Sequence, residues 1–230
     1  MKTIVFDTGP VISLTMNNLL WILEPLKNIS NANFYITPNV KRELVDNPLN
    51  KTKRFKFEAL QTLHYIENKT LEVMDNDNIR SETSRLLGIA NNCFMAFGHN
   101  MGIMHEAEMS AIALCIEKNA DAFVVDERTA RLLIENPRKL LHILRHTLHT
   151  DIKENSSNIK EFRKITKNIS VIRSAELVTV AYEKGLLDKY LANVPNSRKT
   201  LLESVLWGVK LNGCAVSKKE IEQILRIEAG

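Results

Sequence analysis

A short apolar run, Ile4-Val5-Phe6, ends in Asp7, and Thr8, Gly9 and Pro10 follow at once. Proline cannot donate to a strand ladder but fits the first turn of a helix, so the chain turns from strand to helix at this carboxylate. An acid at the C-terminal end of a first strand stands on the edge where open parallel sheets bind ligands. The plainer alternative is that Asp7 is only a turn former bonding to its own backbone.

The strand-then-helix rhythm continues down the chain. The apolar residues from Val11 through Leu14, Leu19, Leu20, Trp21 and Leu23 read as a largely buried helix after Pro10. A second strand is predicted over 33–37, after which Thr37 as N-cap and Pro38 open a short helix with Val40, Glu43, Leu44 and Val45 that Asn47-Pro48 stops. Residues 49–69 begin basic and continue as a helix with Leu60, Leu63 and Ile66 on one stripe. Leu71 to Met74 reads as a short strand, and Asp77 caps a helix running toward Phe97. Ala107 and Ala111 give the helix from Met104 to Glu117 a small-residue face suited to packing on a sheet. The run Ala122 to Val125 is then a continuous apolar strand ending in Asp126 and Glu127, with a helix through Leu132, Leu133 and Ile134. A polar, basic connection leads to a late strand at 169–172 and to helices at 175–185, 197–211 and 218–227. Strands alternating with helices predict an α/β fold with a parallel sheet between two helical layers, α/β/α. One domain over 1–230, with a helical insertion at about 48–103, is the expected organisation.

Composition excludes several classes. Hydrophobic content of 44% and charged content of 25% are those of a globular protein, and no apolar run approaches the roughly 18 residues of a membrane span. The start MKTIVFD carries no long apolar core or small-residue cleavage site, so a cytoplasmic location without membrane attachment is expected. Cys93, Cys115 and Cys214 are far apart and form no CxxC pair, which points to buried thiols rather than a zinc ribbon or a disulfide framework. A formal charge of +4 is compatible with a polyanionic partner and does not by itself require one.

The acids carry the chemistry. Asp7 follows the first strand, Glu43 lies in the helix after the second, Glu106 and Glu108 open the Ala-rich helix, and Asp126 with Glu127 ends the next strand. Each falls on the carboxyl edge of the predicted sheet, so convergence on one crevice is geometrically natural. Carboxylates brought this close repel one another unless a cation neutralises them, and an all-oxygen donor set suits Mg²⁺ or Mn²⁺. Taken singly, Glu106, Glu108 and Glu127 are equally well explained as acids favoured at helix N-termini, and Glu43 as a solvated helix residue. It is their joint occurrence that argues for a metal site.

The segments IVFDTGPVISL (4–14), TPNVKRELV (37–45), HEAEMSAIALC (105–115) and AFVVDERTARLL (122–133) together resemble the PIN-domain family of metal-dependent ribonucleases, in order and in spacing. The chain looks most like a prokaryotic branch related to VapC-type toxins, whose Ala-rich helix opens with GEAEA; here His105 replaces that glycine. The segments around 48–103 and 137–166 are longer than in compact toxin-like members. The resemblance implies a PIN-like fold and hydrolysis of RNA phosphodiesters to a 5′-phosphate and a 3′-hydroxyl. It also implies a catalytic metal site of Asp7, Glu43, Glu106 and Asp126, with Glu108 and Glu127 as adjacent alternative ligands, taking Mg²⁺ or Mn²⁺. Single-stranded RNA is the implied substrate, and an antitoxin or a second copy of the chain the implied protein partner. A catalytically silent PIN fold serving as an RNA-binding or protein-interaction module is the competing expectation.

Around that core, Thr8 is a candidate to orient Asp7 or a metal-bound water, or else a simple turn hydroxyl, and Arg128 and Arg131, one helical turn apart, are candidates for holding the substrate backbone. The run Lys51, Lys53, Arg54 and Lys56 is interleaved with Phe55 and Phe57. It is either a solvated helix start whose phenylalanines enter the core or an RNA contact whose rings stay open for stacking. His142, His146 and His149 lie at spacings that one helix face could gather, without an acid among them, which favours a surface face or an RNA contact over zinc. Other chemistries lack their motifs. An aspartyl-nucleophile phosphatase needs a second Asp where Gly9 stands, HEAEM lacks the second His of HExxH, and no GxGxxG or GxxxxGK[ST] occurs.

Overall fold

The computed structural model describes residues 1–228. β1 (Lys2–Phe6) leads into α1 (Thr8–Met16), a 3₁₀ turn at Leu20–Ile22 and α2 (Leu23–Ser30). β2 (Ala32–Ile36) is followed by α3 (Pro38–Lys41), a π turn over Arg42–Asp46, α4 (Asn47–Lys51) and α5 (Lys56–Glu67). Next come β3 (Glu72–Val73), α6 (Asp77–Ala90), β4 (Phe94–Ala96), β5 (His99–Asn100) and α7 (Glu106–Lys118). β6 (Ala122–Val124), α8 (Arg128–Glu135), α9 (Pro137–Leu148), β7 (Lys153–Glu154), α10 (Ser156–Thr166) and β8 (Val171–Ile172) continue the chain. It closes with α11 (Ser174–Glu183), a 3₁₀ turn at Asp188–Tyr190, α12 (Ser197–Leu211) and α13 (Lys218–Glu228).

The main sheet is parallel throughout, in the order β3-β2-β1-β6-β8, and helices cover both faces. β1 is central: Ile4 faces Phe34 of β2 on one side and Ala122 of β6 on the other. Strand order reverses across β1, so the ends of β1 and β6 flank the crevice where such sheets bind ligands. Alternation along β1 explains the three layers. Phe6 packs with Phe34 and Ile36 against α1, α2, α11 and α12, whereas Val5 packs with Phe123 and Val125 against α6–α10. Phe6 and Phe34 meet with ring centroids 5.1 Å apart.

Local chemistry sets the element ends. Thr37 accepts from the Val40 N–H and Pro38 fills the first helical turn of α3, as its sequence predicts. Pro48 does not stop the helix: it lies in the first turn of α4, where a missing N–H leaves nothing unmade, and the π turn absorbs the change of phase. α6 is capped by Asn76, not Asp77, through Ile79 N–H to Asn76 Oδ1 at 2.8 Å. It ends at Ala90 because β4 begins soon after. On α5, Leu63 and Ile66 of the predicted stripe pack partly buried against the core beside the buried Ala59 and Thr62, whereas Leu60 is exposed. The expected basic connection over 137–166 is instead α9, β7 and α10. Thin stripes of Leu140, Leu141 and Phe162 bury those helices among otherwise polar residues. β7 joins β4 and β5 in a small antiparallel sheet that no alternation in the sequence announces. The segment 48–103 adds β3 to the edge of the main sheet and lays α6 along α7. All three cysteines are free and buried, and burial pushes the thiols of Cys93 and Cys214 up to about 12.

Arg173, between β8 and α11, ties the C-terminal helices to the sheet edge. Its guanidinium donates to Glu176 on α11, to Glu220 on α13 at 2.8 Å and to the Ala215 carbonyl at 3.0 Å. Both glutamates are partly open to water, so replacing Arg173 leaves the partly buried Ala215 carbonyl as the main uncompensated group. Arg173→Met is expected to cost roughly 1–3 kcal/mol in urea unfolding, and an unchanged midpoint would remove the tie from the account.

Candidate metal centre

Asp7 is the N-cap of α1 and is 4% exposed. Its backbone N–H donates to the Val124 carbonyl at 2.9 Å, which fixes it beside the end of β6. Oδ2 accepts from the Gly9 N–H at 3.4 Å, while Oδ1 is buried with no partner at all. A buried, half-satisfied carboxylate resists ionisation. Burial, then the charge of Glu108 and more weakly that of Glu43, push the Asp7 carboxyl up to about 7, against the pull of the Thr8 and Gly9 N–H groups.

Each neighbouring acid is held by a different device. Glu43 projects from the π turn after α3, and the Thr8 hydroxyl donates to its Oε2 at 2.7 Å. Glu108, in the first turn of α7, accepts from the His105 N–H at 2.8 Å. Its carboxyl is raised mainly by burial, which outweighs the pull of His105, and the charge of Glu127 adds to the rise. Glu127 caps α8 by accepting from the Ala130 N–H at 2.8 Å. Asp126 is 2% exposed and turned inward. Its Oδ1 accepts from the Ser174 N–H at 2.8 Å, and its Oδ2 from the hydroxyls of Ser13 and Ser174, each at 2.7 Å. Asp126 thereby joins α1, β6 and α11. Gly9 separates the two aspartates: a Cβ there would stand 3.4 Å from Asp126 Cβ and 3.7 Å from Asp7 Oδ2.

The structure thus brings Asp7, Glu43 and Glu108 to one mouth, with Glu127 beside Glu108 and Asp126 in the floor. Glu106 faces elsewhere, lining a separate cavity of about 290 Å³ with Arg42, Asp75, Arg80 and Ser110. Among the described residues no three His, Cys, Asp or Glu side chains stand close enough together to hold a metal as they are oriented. The donor chemistry nevertheless suits a hard cation: all oxygen, negative, and including one buried oxygen with nothing bound to it. Of the basic candidates, Arg128 is exposed, whereas Arg131 is largely buried and points along its own helix toward Glu135 at 3.8 Å. His142 and His146 are exposed on α9, and His149, also exposed, lies just past its end with a φ of 50°. Ser13 and Ser174 were not anticipated. The signal for Ser174 was available, since it lies where a strand gives way to a helix, as Asp7 and Asp126 do.

A family model described as PIN domain matches residues 3–137, more than half of the chain. The chain belongs to the PIN-domain family. PIN domains are in general nucleases that use divalent metal ions, and the matched span contains every acid of this mouth. No curated protein and no solved structure gives a significant match. No described helix is long and apolar enough to cross a membrane.

Because the folded state binds the Asp7 proton more tightly than the unfolded chain, ionising Asp7 opposes folding. The cost grows as pH rises from about 3.8 to about 7 and is constant above that. Asp7→Asn lacks this cost, so without divalent ions it should be more stable than wild type at pH 8, by roughly 2–4 kcal/mol, and nearly equal at pH 4. A thermal melt series across that range checks this, and equal stabilities at pH 8 would contradict it.

Proposed function

We propose that the protein is a metal-dependent endoribonuclease, with Asp7, Glu43 and Glu108 holding Mg²⁺ or Mn²⁺ and Asp126 supporting them from the floor. The observation that carries this reading is the buried Asp7 oxygen with no hydrogen-bond partner, beside two further carboxylates. A site that keeps a carboxylate dry, crowded and unpaired is costly unless a cation completes it. When bound, such an ion lowers the pKa of an attacking water and neutralises charge developing on the phosphodiester.

The chain's own residues divide the remaining work. Asp7 fixes the centre, because its backbone is pinned to β6 and its side chain has no freedom to leave. Glu43 and Glu108 are longer, and each exchanges one present bond, to Thr8 or to the His105 N–H, when it turns inward. Thr8 limits that turn for Glu43 and so sets its approach. Asp126 keeps α1 and the β6 end in register through Ser13 and Ser174. Arg128, exposed beside the mouth, is suited to the phosphate backbone of the substrate. Glu106 and Glu127 are kept as outer acids: the first faces the Arg42 cavity and the second caps its own helix.

One observation favours the second reading, a PIN fold that binds without cleaving: the carboxylates do not converge as they stand. Metal-dependent cleavage separates the two. End-labelled single-stranded RNA should be cut by wild type with Mn²⁺, not with EDTA, and not by Asp7→Asn. Glu108→Gln should lower kcat/KM by roughly 100-fold while Glu106→Gln stays within a few-fold. The opposite ranking would give the site to Glu106, and cleavage by none of the proteins would support the binding module.

A further inference from the structure

Phe55 and Phe57 are not in the core. Phe55 is 46% exposed and Phe57 69% exposed, at the start of α5. Phe55 holds a φ of 62°, a left-handed conformation in which a bulky side chain is strained. The Arg54 guanidinium lies 5.2 Å from the centre of its ring. Lys51, Lys53, Arg54 and Lys56 are all exposed, and none forms an ion pair among the described residues. Phe55 also walls an apolar groove of about 150 Å³, with Ile12 and Met16 of α1, Pro48, and the carboxylates Glu43 and Glu58. Glu43 is the acid that Thr8 holds beside Asp7. The groove therefore shares Glu43 with the candidate metal centre.

Two occupants suit an exposed apolar groove: another protein surface, or an unstacked nucleobase. The charge pattern decides between them. Cores of protein interfaces are depleted in lysine, whereas here unpaired basic side chains alternate with the rings. Alternating cations and exposed aromatics serve a strand that offers a phosphate and a base in turn, the rings stacking on bases while lysines meet the backbone. A duplex cannot use the groove, because its bases are already stacked.

Building on the ribonuclease reading, we infer that Phe55 and Phe57 form a stacking subsite for unpaired bases of single-stranded RNA. The groove beside Phe55 would hold the base next to the scissile phosphate, with Lys51, Lys53, Arg54 and Lys56 on the flanking backbone. The subsite makes the enzyme selective for unpaired RNA and delivers the strand past Glu43.

The test measures binding, without cleavage, of a fluorescein-labelled single-stranded RNA 12-mer and the matching duplex in EDTA at fixed salt. The full-length proteins compared are wild type, F55L/F57L, F55Y/F57Y and F55G, each also examined by sedimentation velocity. Leucine keeps the apolar surface and removes the stacking face, while tyrosine keeps both. The single strand should bind wild type well above the duplex. F55L/F57L should weaken that binding by about tenfold, and F55Y/F57Y should leave it within about twofold. F55G relieves the left-handed strain, so it should melt no lower than wild type yet bind more weakly. Single-strand binding unchanged in F55L/F57L overturns the subsite while leaving Mn²⁺-dependent cleavage, assayed separately through Asp7, as it stands. A dimer in wild type that F55L/F57L dissociates also overturns it, since the groove is then a protein contact. Wild type that neither binds nor cleaves any single strand removes the ribonuclease reading and this subsite together.

Discussion

A carboxylate buried at the end of the central strand, with one oxygen bonded to nothing, sets the terms for the rest of the molecule. Burying Asp7 is unfavourable for its charged form, and the negative neighbours Glu108 and Glu43 make it more so. The sheet nevertheless holds it there, because its N–H belongs to the ladder with β6 and the next residues must begin α1. The fold therefore stores an electrostatic cost at one point of the carboxyl edge. Relief comes from a proton or from a cation, and the proposed nuclease takes the second.

The second aspartate shows the opposite solution. Asp126 is as buried as Asp7, yet it accepts three hydrogen bonds from Ser13 and Ser174. Its backbone carbonyl accepts a fourth, from the Ala215 N–H at 3.0 Å. It is a joint between the sheet and the helices beyond the span matched to the PIN family, and Arg173 reinforces the same corner. Two aspartates at equivalent strand ends thus divide their duties: one is satisfied and holds the frame, the other is unsatisfied and faces the mouth.

The sequence makes the strand ends legible because strand, carboxylate and helix start fall together at Asp7 and at Asp126. The family resemblance put Glu106 ahead of Glu108, whereas in the structure it is Glu108 whose charge acts on Asp7. Two residues along a helix turn the side chain by about 200°, so the two glutamates look in nearly opposite directions. Which one meets Asp7 depends on how α7 seats on the sheet through Ala107, Ser110 and Ala111. Glu43 was legible as an acid but not as the partner of Thr8, since the π turn that presents it has no sequence signature. The phenylalanines at 55 and 57 read more readily as core than as surface, and the structure leaves both exposed, because a short amphipathic helix start carries no record of what covers it. α9 and α10 were hidden for a related reason: Leu140, Leu141 and Phe162 bury them with too few apolar residues to outweigh their charge.

The most direct measurement is the ionisation of Asp7 itself, followed by the ¹³C shift of its side-chain carboxyl as pH is varied, with and without Mg²⁺. A midpoint near 7 without the ion, falling by two units or more when Mg²⁺ is present, is what a dry carboxylate completed by a cation predicts. A midpoint in the ordinary range near 3.8, or one that Mg²⁺ does not move, would contradict the account at its centre.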